Sequence, residues 1–190
     1  MAELTPLAIS VLALLHENPT HAYEMYQLLI GRQNDRIVKV RPGSLYHTVE
    51  RLAGQEYVRA TGTDRAGNRP ERTTYEITPA GAEALRSRVE SGIENYVYEY
   101  PLFPVVLSEA HNLEAEDALL RFRRRVADLD SWLAGLDDSI GHARENDVHE
   151  PYWIGGAYVR NQIAAERDWL ATTIERIESK DLPWHPRKNK

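Results

Sequence analysis

Seven apolar residues of this chain recur at alternating spacings of 3 and 4: Leu119, Phe122, Val126, Leu129, Leu133, Leu136 and Ile140. A strand alternates with a period of two, so the spacing commits residues 114–145 to one long helix. An apolar seam of that length must be covered by another helix. A turn around residues 146–151 leads to a last helix, about 152–179, with Ile163, Leu170, Ile174 and Ile177 as a looser stripe. The two helices form a hairpin whose apolar surface is generous for one chain. The seam residues are therefore the candidates for a dimer interface. The tail DLPWHPRKNK is basic, with Trp184 placed to pack back.

The N-terminal part has a different grammar. Thr5-Pro6 reads as a cap and first position of a helix over residues 5–16, which Asn18-Pro19 ends. Thr20 is placed to cap a second helix over 21–31, with Gly31 just past its end. Pro42 opens a third helix running to about Gln55. At 100° per residue, Leu45, Val49 and Leu52 share one buried arc. Gly43, Ser44, His47, Glu50, Arg51 and Gly54 fall opposite, and Tyr46 sits on the border, assigned by the spacing to neither face. Tyr57–Thr61 and Thr73–Ile77 read as strands of a hairpin whose tip, DRAGNRP, places Arg65, Asn68, Arg69 and Arg72 at or near the turn. Thr78-Pro79 starts another helix.

The order helix, helix, helix, hairpin, helix is the layout of a winged helix-turn-helix. In that layout the third helix enters the major groove of DNA N-terminus first. Small residues at its start permit close approach, and its free N–H groups suit phosphates. The fold class is thus mainly α with an α+β wing: residues 1–90 a winged helix-turn-helix, 91–112 a connector, 113–182 a helical dimerisation domain and 183–190 a basic tail. In the connector, Pro101 and Pro104 prevent one straight helix.

Charge supports the same division. The chain carries −6 overall. Residues 32–72 hold nine basic and five acidic residues, so this stretch is +4 and the remainder −10. A basic module on an acidic body binds phosphates locally while the global charge limits non-specific attachment. Cysteine is absent, which removes disulfides, thiol nucleophiles and Cys-based zinc sites. The apolar N-terminus contains Glu3 and no basic leader, and no run reaches about 18 residues, so the chain reads as a soluble cytoplasmic protein without a membrane partner. The seven histidines have no metal-ligand spacing, no catalytic triad has motif support, and no cofactor loop is present.

Four segments, HAYEMYQLL (21–29), VRPGSLYHTVERL (40–52), GNRPERTTYEIT (67–78) and PAGAEAL (79–85), together resemble the PadR family of bacterial transcriptional regulators. That family has His-Gly-Tyr-Glu at the start of its second helix, and this chain departs from it at Ala22. The resemblance is strong over roughly residues 4–90; beyond them it is one of layout to the longer PadR subfamily. It implies a homodimeric repressor on pseudo-palindromic operator DNA, dimerised through its C-terminal helices. It carries over Tyr23 as a backbone contact, Pro42, Gly43, Ser44, Tyr46, His47 and Arg51 on the recognition helix, and Arg65, Asn68, Arg69 and Arg72 on the wing. Some members release DNA on binding aromatic acids or bulky aromatic drugs. In this chain aromatic residues concentrate in the connector and C-terminal helices, where packing is the plain reading. The sharper one is a planar aromatic effector held by Trp132 and Trp153, with Tyr96 and Tyr100. Two other classes compete: a helical protein-interaction module without DNA binding, and an enzyme without a recognisable constellation.

Overall fold

The computed structural model describes residues 4–64 and 72–185. The chain divides into two compact units, residues 1–98 and 99–190.

The first unit contains α1 (Pro6–Glu17), β1 (Thr20–His21), α2 (Ala22–Gly31), α3 (Pro42–Gly54), β2 (Val58–Asp64), β3 (Arg72–Ile77) and α4 (Pro79–Glu94). Its core is built from α1 (Val11, Leu12, Leu15), α2 (Met25, Leu29), α3 (Leu45, Val49, Leu52) and Val58 of β2. The expected buried arc of α3 is the one that packs. Thr48 joins it, its hydroxyl donating to the Ser44 carbonyl at 2.7 Å. At the far end of α2, Arg32 grips Glu17 of α1 through two hydrogen bonds of 2.7 Å. Those bonds hold the Glu17 carboxyl below its ordinary range against the opposing effect of burial.

The sheet is three-stranded and antiparallel in the order β1-β3-β2, so β3 is central. The strand β1 has no counterpart in the sequence reading. It corrects the role of Thr20. This residue pairs with Tyr75 in the sheet, its hydroxyl donates to Glu24 at 2.8 Å, and His21 occupies the N-cap of α2. Gly31 lies inside α2 with Arg32 as its C-cap. Both wing strands are longer than expected, and β2 carries a bulge: Ala60 faces Tyr75 and Gly62 faces Thr74, leaving Thr61 unpaired. Gly81 shows why α4 starts where it does. A Cβ there would lie 2.0 Å from the Tyr57 carbonyl oxygen, so only glycine lets the helix meet the end of the α3–β2 turn.

The second unit contains α5 (Leu102–Ser108), α6 (Ala115–Glu145) and α7 (Ile154–Glu178). The helix α5 lies inside the expected connector. Pro101 is its N-cap and Pro104 sits in its first turn, where proline is tolerated. The helices α6 and α7 pack along Phe122, Leu129, Leu136, Ile163, Leu170 and Ile177. Ion pairs Arg123–Glu178, Asp130–Arg167 and Asp137–Arg160 cross the hairpin in antiparallel order. Trp184 returns to the hairpin, donating to the Leu113 carbonyl at 3.0 Å and meeting Phe122 edge-on at 5.9 Å. Among the described residues no helix is long and apolar enough to cross a membrane.

Candidate nucleic-acid interface

Three helices of the first unit carry proline at their first position: Pro6, Pro42 and Pro79. The missing N–H would be unpaired there anyway. Two of the three are capped by threonine. Thr5 accepts from the Ala8 N–H at 3.3 Å, and Thr78 from the Gly81 N–H at 3.0 Å. The third, α3, has Arg41 at the cap position, extended like the threonines (φ −135°, ψ 143°), with no side-chain cap. The Leu45 N–H bonds the Arg41 carbonyl at 3.0 Å. The amides of Gly43 and Ser44 therefore lack an intrahelical acceptor, at the positive end of the helix dipole. A Cβ on Gly43 would meet nothing within 4 Å. No internal packing requires that glycine, so the slimness it confers is directed outward.

The outward face of α3 carries Pro42, Gly43, Ser44, Tyr46, His47 and Arg51, all exposed. The ambiguity at Tyr46 resolves geometrically: it is 47% exposed and lines a cleft instead of the core. His47 pairs with Glu50 at 3.3 Å. Arg51 donates to the Thr5 hydroxyl at 3.1 Å, which ties it to the start of α1. The cleft, ≈150 Å³, opens between α2, α3 and β3 and is lined by His21, Tyr23, Tyr46, Glu50, Arg72 and Tyr75 among others. Within it the Arg72 guanidinium lies 5.6 Å from the centre of the Tyr23 ring, within cation–π range. Tyr23, Tyr46 and Arg72 are thus brought together; Arg65, Asn68 and Arg69 lie outside the described residues.

Two cations at the approach to α3 enter the sequence reading only as part of the basic stretch 32–72 and not as site residues. Lys39 and Arg41 are exposed and hold no carboxylate among the described residues. Their signal was position, directly before Pro42. It was hidden because a missing cap shows only when three helix starts are compared. Several arginines of the second unit contrast with them. Arg125, Arg160, Arg167 and Arg176 each bond a carboxylate at 2.6–2.8 Å.

An apolar groove of ≈630 Å³ runs between α5 and the start of α6, walled by Phe103, Val106, Leu107, Leu113 and Phe122, with Glu109, Arg121 and Arg125 as charged groups. Arg125 lies 3.5 Å over the Phe103 ring and bonds Glu166 at 2.6 Å. None of Tyr96, Tyr100, Trp132 and Trp153 lines this groove. Tyr96 and Tyr100 are strongly exposed, and Trp132 is half-exposed on α6. Trp153 donates to the Val148 carbonyl at 3.1 Å beneath the Arg144 guanidinium. Of the seam, Phe122, Leu129, Leu136 and Ile140 are buried within the single chain, and Leu119, Val126 and Leu133 pack partly against the same core. The helix α7 of the same chain therefore covers most of what the spacing offered to a partner. Large apolar side chains that stay exposed in this unit include Leu102, Val105, Val106, Leu120 and Trp169.

Residues 11–87 match the model of the transcriptional regulator PadR-like family. No curated protein matches the chain. Three solved structures share its fold over nearly their whole length. Bacillus subtilis PadR in complex with operator DNA is 14% identical, with a TM-score of 0.76 over 91% of this chain and 99% of that one. Bacillus subtilis PadR in complex with p-coumaric acid is 12% identical, with a TM-score of 0.71 over 90% and 98%. The PadR-like transcriptional regulator BC1756 from Bacillus cereus is 14% identical, with a TM-score of 0.68 over 92% and 99%. At these identities the likeness establishes the fold.

Proposed function

We propose that this chain, whose residues 11–87 match the model of the PadR-like family of transcriptional regulators, is a homodimeric sequence-specific DNA-binding repressor relieved by a small aromatic ligand. The observation that carries the DNA-binding part is the start of α3: unpaired Gly43 and Ser44 amides, an outward-facing glycine, and Arg41 where the sister helices have a capping threonine. A backbone phosphate is the acceptor such a helix start fits. Ser44 and His47 then face base edges, while Arg51, Tyr23, Tyr46 and Arg72 line the flanking backbone. The wing-tip residues Arg65, Asn68 and Arg69 extend that footprint.

The solved PadR bound to operator DNA supports the first half of this reading, and the one bound to p-coumaric acid supports the second. In this chain the groove between α5 and α6 has the volume of a small-molecule site. A ligand regulates only if it binds the DNA-competent and incompetent forms unequally. Dimerisation rests on exposed apolar surface of the second unit together with the half-covered seam residues. A cytoplasmic location follows from this role.

Footprinting on the DNA upstream of the protein's own gene tests the reading. A two-fold dimer protects inverted half-sites about one helical turn, roughly 34–36 Å, apart or a multiple of it. Absence of any salt-dependent DNA binding would refute it and favour the protein-interaction reading instead.

A further inference from the structure

The short strand β1 and the first turn of α2 contain four polar side chains in five residues, and each has a partner that ties α2 to the wing or to itself. Thr20 is buried and donates to Glu24 at 2.8 Å. The His21 Nδ1 lies 3.1 Å from the Thr74 hydroxyl, across the β1–β3 ladder. The Tyr23 ring lies under the Arg72 guanidinium at 5.6 Å. Thr74 and Arg72 are two positions apart on β3, with Thr73 between them, so His21 and Tyr23 grip the same side of one strand.

The level at which they grip it matters. Thr20 pairs with Tyr75 and His21 with Thr74 on one edge of β3. On its other edge the same two residues, Tyr75 and Thr74, flank the bulge at Thr61. A bulge bends its strand and increases the local twist. The outer part of the wing, residues 62–64 and 72–74, therefore changes direction at the level where β1 holds β3.

We propose that His21 is a positioning residue for DNA binding: through Thr74 it fixes the angle of the outer wing relative to α3 at the Thr61 bulge, with the Tyr23–Arg72 stack as the second point of the clasp. This rests on the DNA-binding reading above. It assigns to His21, which makes no contribution to the outward face of α3, control over where the wing meets the DNA backbone. It also gives the Thr20–Glu24 bond a purpose, since it anchors β1 to α2 and makes the clasp stiff.

The test uses the full-length protein and a labelled duplex that the wild type selects from a random pool. Wild type, Thr74→Val, Thr74→Ser and His21→Ala are compared by affinity across a salt series, hydroxyl-radical footprint and thermal midpoint. Thr74→Val and His21→Ala are expected to lose protection at the backbone flanking the major-groove contact, to keep protection within it, and to flatten the log–log salt slope by about 0.9 for each wing phosphate lost. Thr74→Ser, which keeps the hydroxyl, is expected to restore both. If Thr74→Val lowers the midpoint while its folded fraction keeps the wild-type slope and footprint, the hydrogen bond serves stability alone and the clasp is wrong. A wild type that enriches no duplex overturns the DNA reading instead, before any variant enters.

Discussion

Arg41 sits where a helix cap belongs, and replacing it should move stability and affinity in opposite directions. In Arg41→Ser, the new hydroxyl reaches the Ser44 N–H as Thr5 and Thr78 reach Ala8 and Gly81. A serine at an N-cap is worth about 1 kcal/mol over an uncapped start, in a range of roughly 0.5–2. For a chain of this length unfolding as one, that raises the melting midpoint by about 2–4 °C, and by about twice that if the N-terminal unit melts alone. The same change removes a cation and occupies an amide that α3 otherwise presents outward. Loss of one phosphate contact flattens the log–log salt slope by about 0.9, so a fourfold rise in salt weakens binding about 3.5-fold less than in the wild type. Arg41→Ala is the control: it removes the cation without supplying a cap, and should flatten the slope with no gain in stability. The assays are differential scanning calorimetry and fluorescence anisotropy on one duplex at several salt concentrations. A serine variant no more stable than the alanine variant would refute the uncapped reading of α3. A serine variant with the wild-type slope would remove Arg41 from the DNA footprint.

Arg51→Ala should weaken selected and random duplexes alike and flatten the salt slope by about one unit, measured by the same titration; its bond to Thr5 adds a small loss of stability at the start of α1. Gly81→Ala should destabilise the fold by about 1–3 kcal/mol or more in chemical denaturation, because its methyl group would be driven into the Tyr57 carbonyl. Leu170→Ala, at a fully buried position of α7, should cost about 2–5 kcal/mol by the same measure. Glu17→Gln should narrow the stability margin at neutral pH and match the wild type in acid. The Arg32 hydrogen bonds lower the folded-state pKa of Glu17, so the stabilisation is present above the ordinary carboxylate range and is lost as pH falls through the depressed value.

Elements whose signals are local were legible in the sequence. Thr5-Pro6 and Thr78-Pro79 mark the helix starts found, and the heptad spacing places α6 to within a residue at its N-terminus. What the sequence hid depends on distant partners. A two-residue strand has no period, so β1 exists only because β3 lies beside it. Thr20 looked like a cap because capping residues also suit turns, and only the sheet reveals its other role. The bulge at Thr61 is a mismatch between two strands and belongs to neither alone. The hairpin of α6 and α7 was legible from the spacing, but not how much of the α6 seam α7 covers.

The same distinction resolves the apparent conflict between a net charge of −6 and a nucleic-acid surface. Many of the acids are already engaged. Glu166, Glu178, Asp130, Asp137, Asp168 and Asp181 each hold an arginine of the second unit. Exposed pairs of this kind contribute about 0–1 kcal/mol each, so the value of the four that join α6 to α7 lies less in strength than in fixing the register of the two helices. At the approach to α3, Lys39 and Arg41 are left without such partners among the described residues, and Arg72 rests on an aromatic ring that leaves its charge intact. Screening confines each surface charge to a range of about 8–10 Å at ordinary salt. A phosphate at the start of α3 would therefore meet the nearby Lys39 and Arg41 and not the sum over the chain.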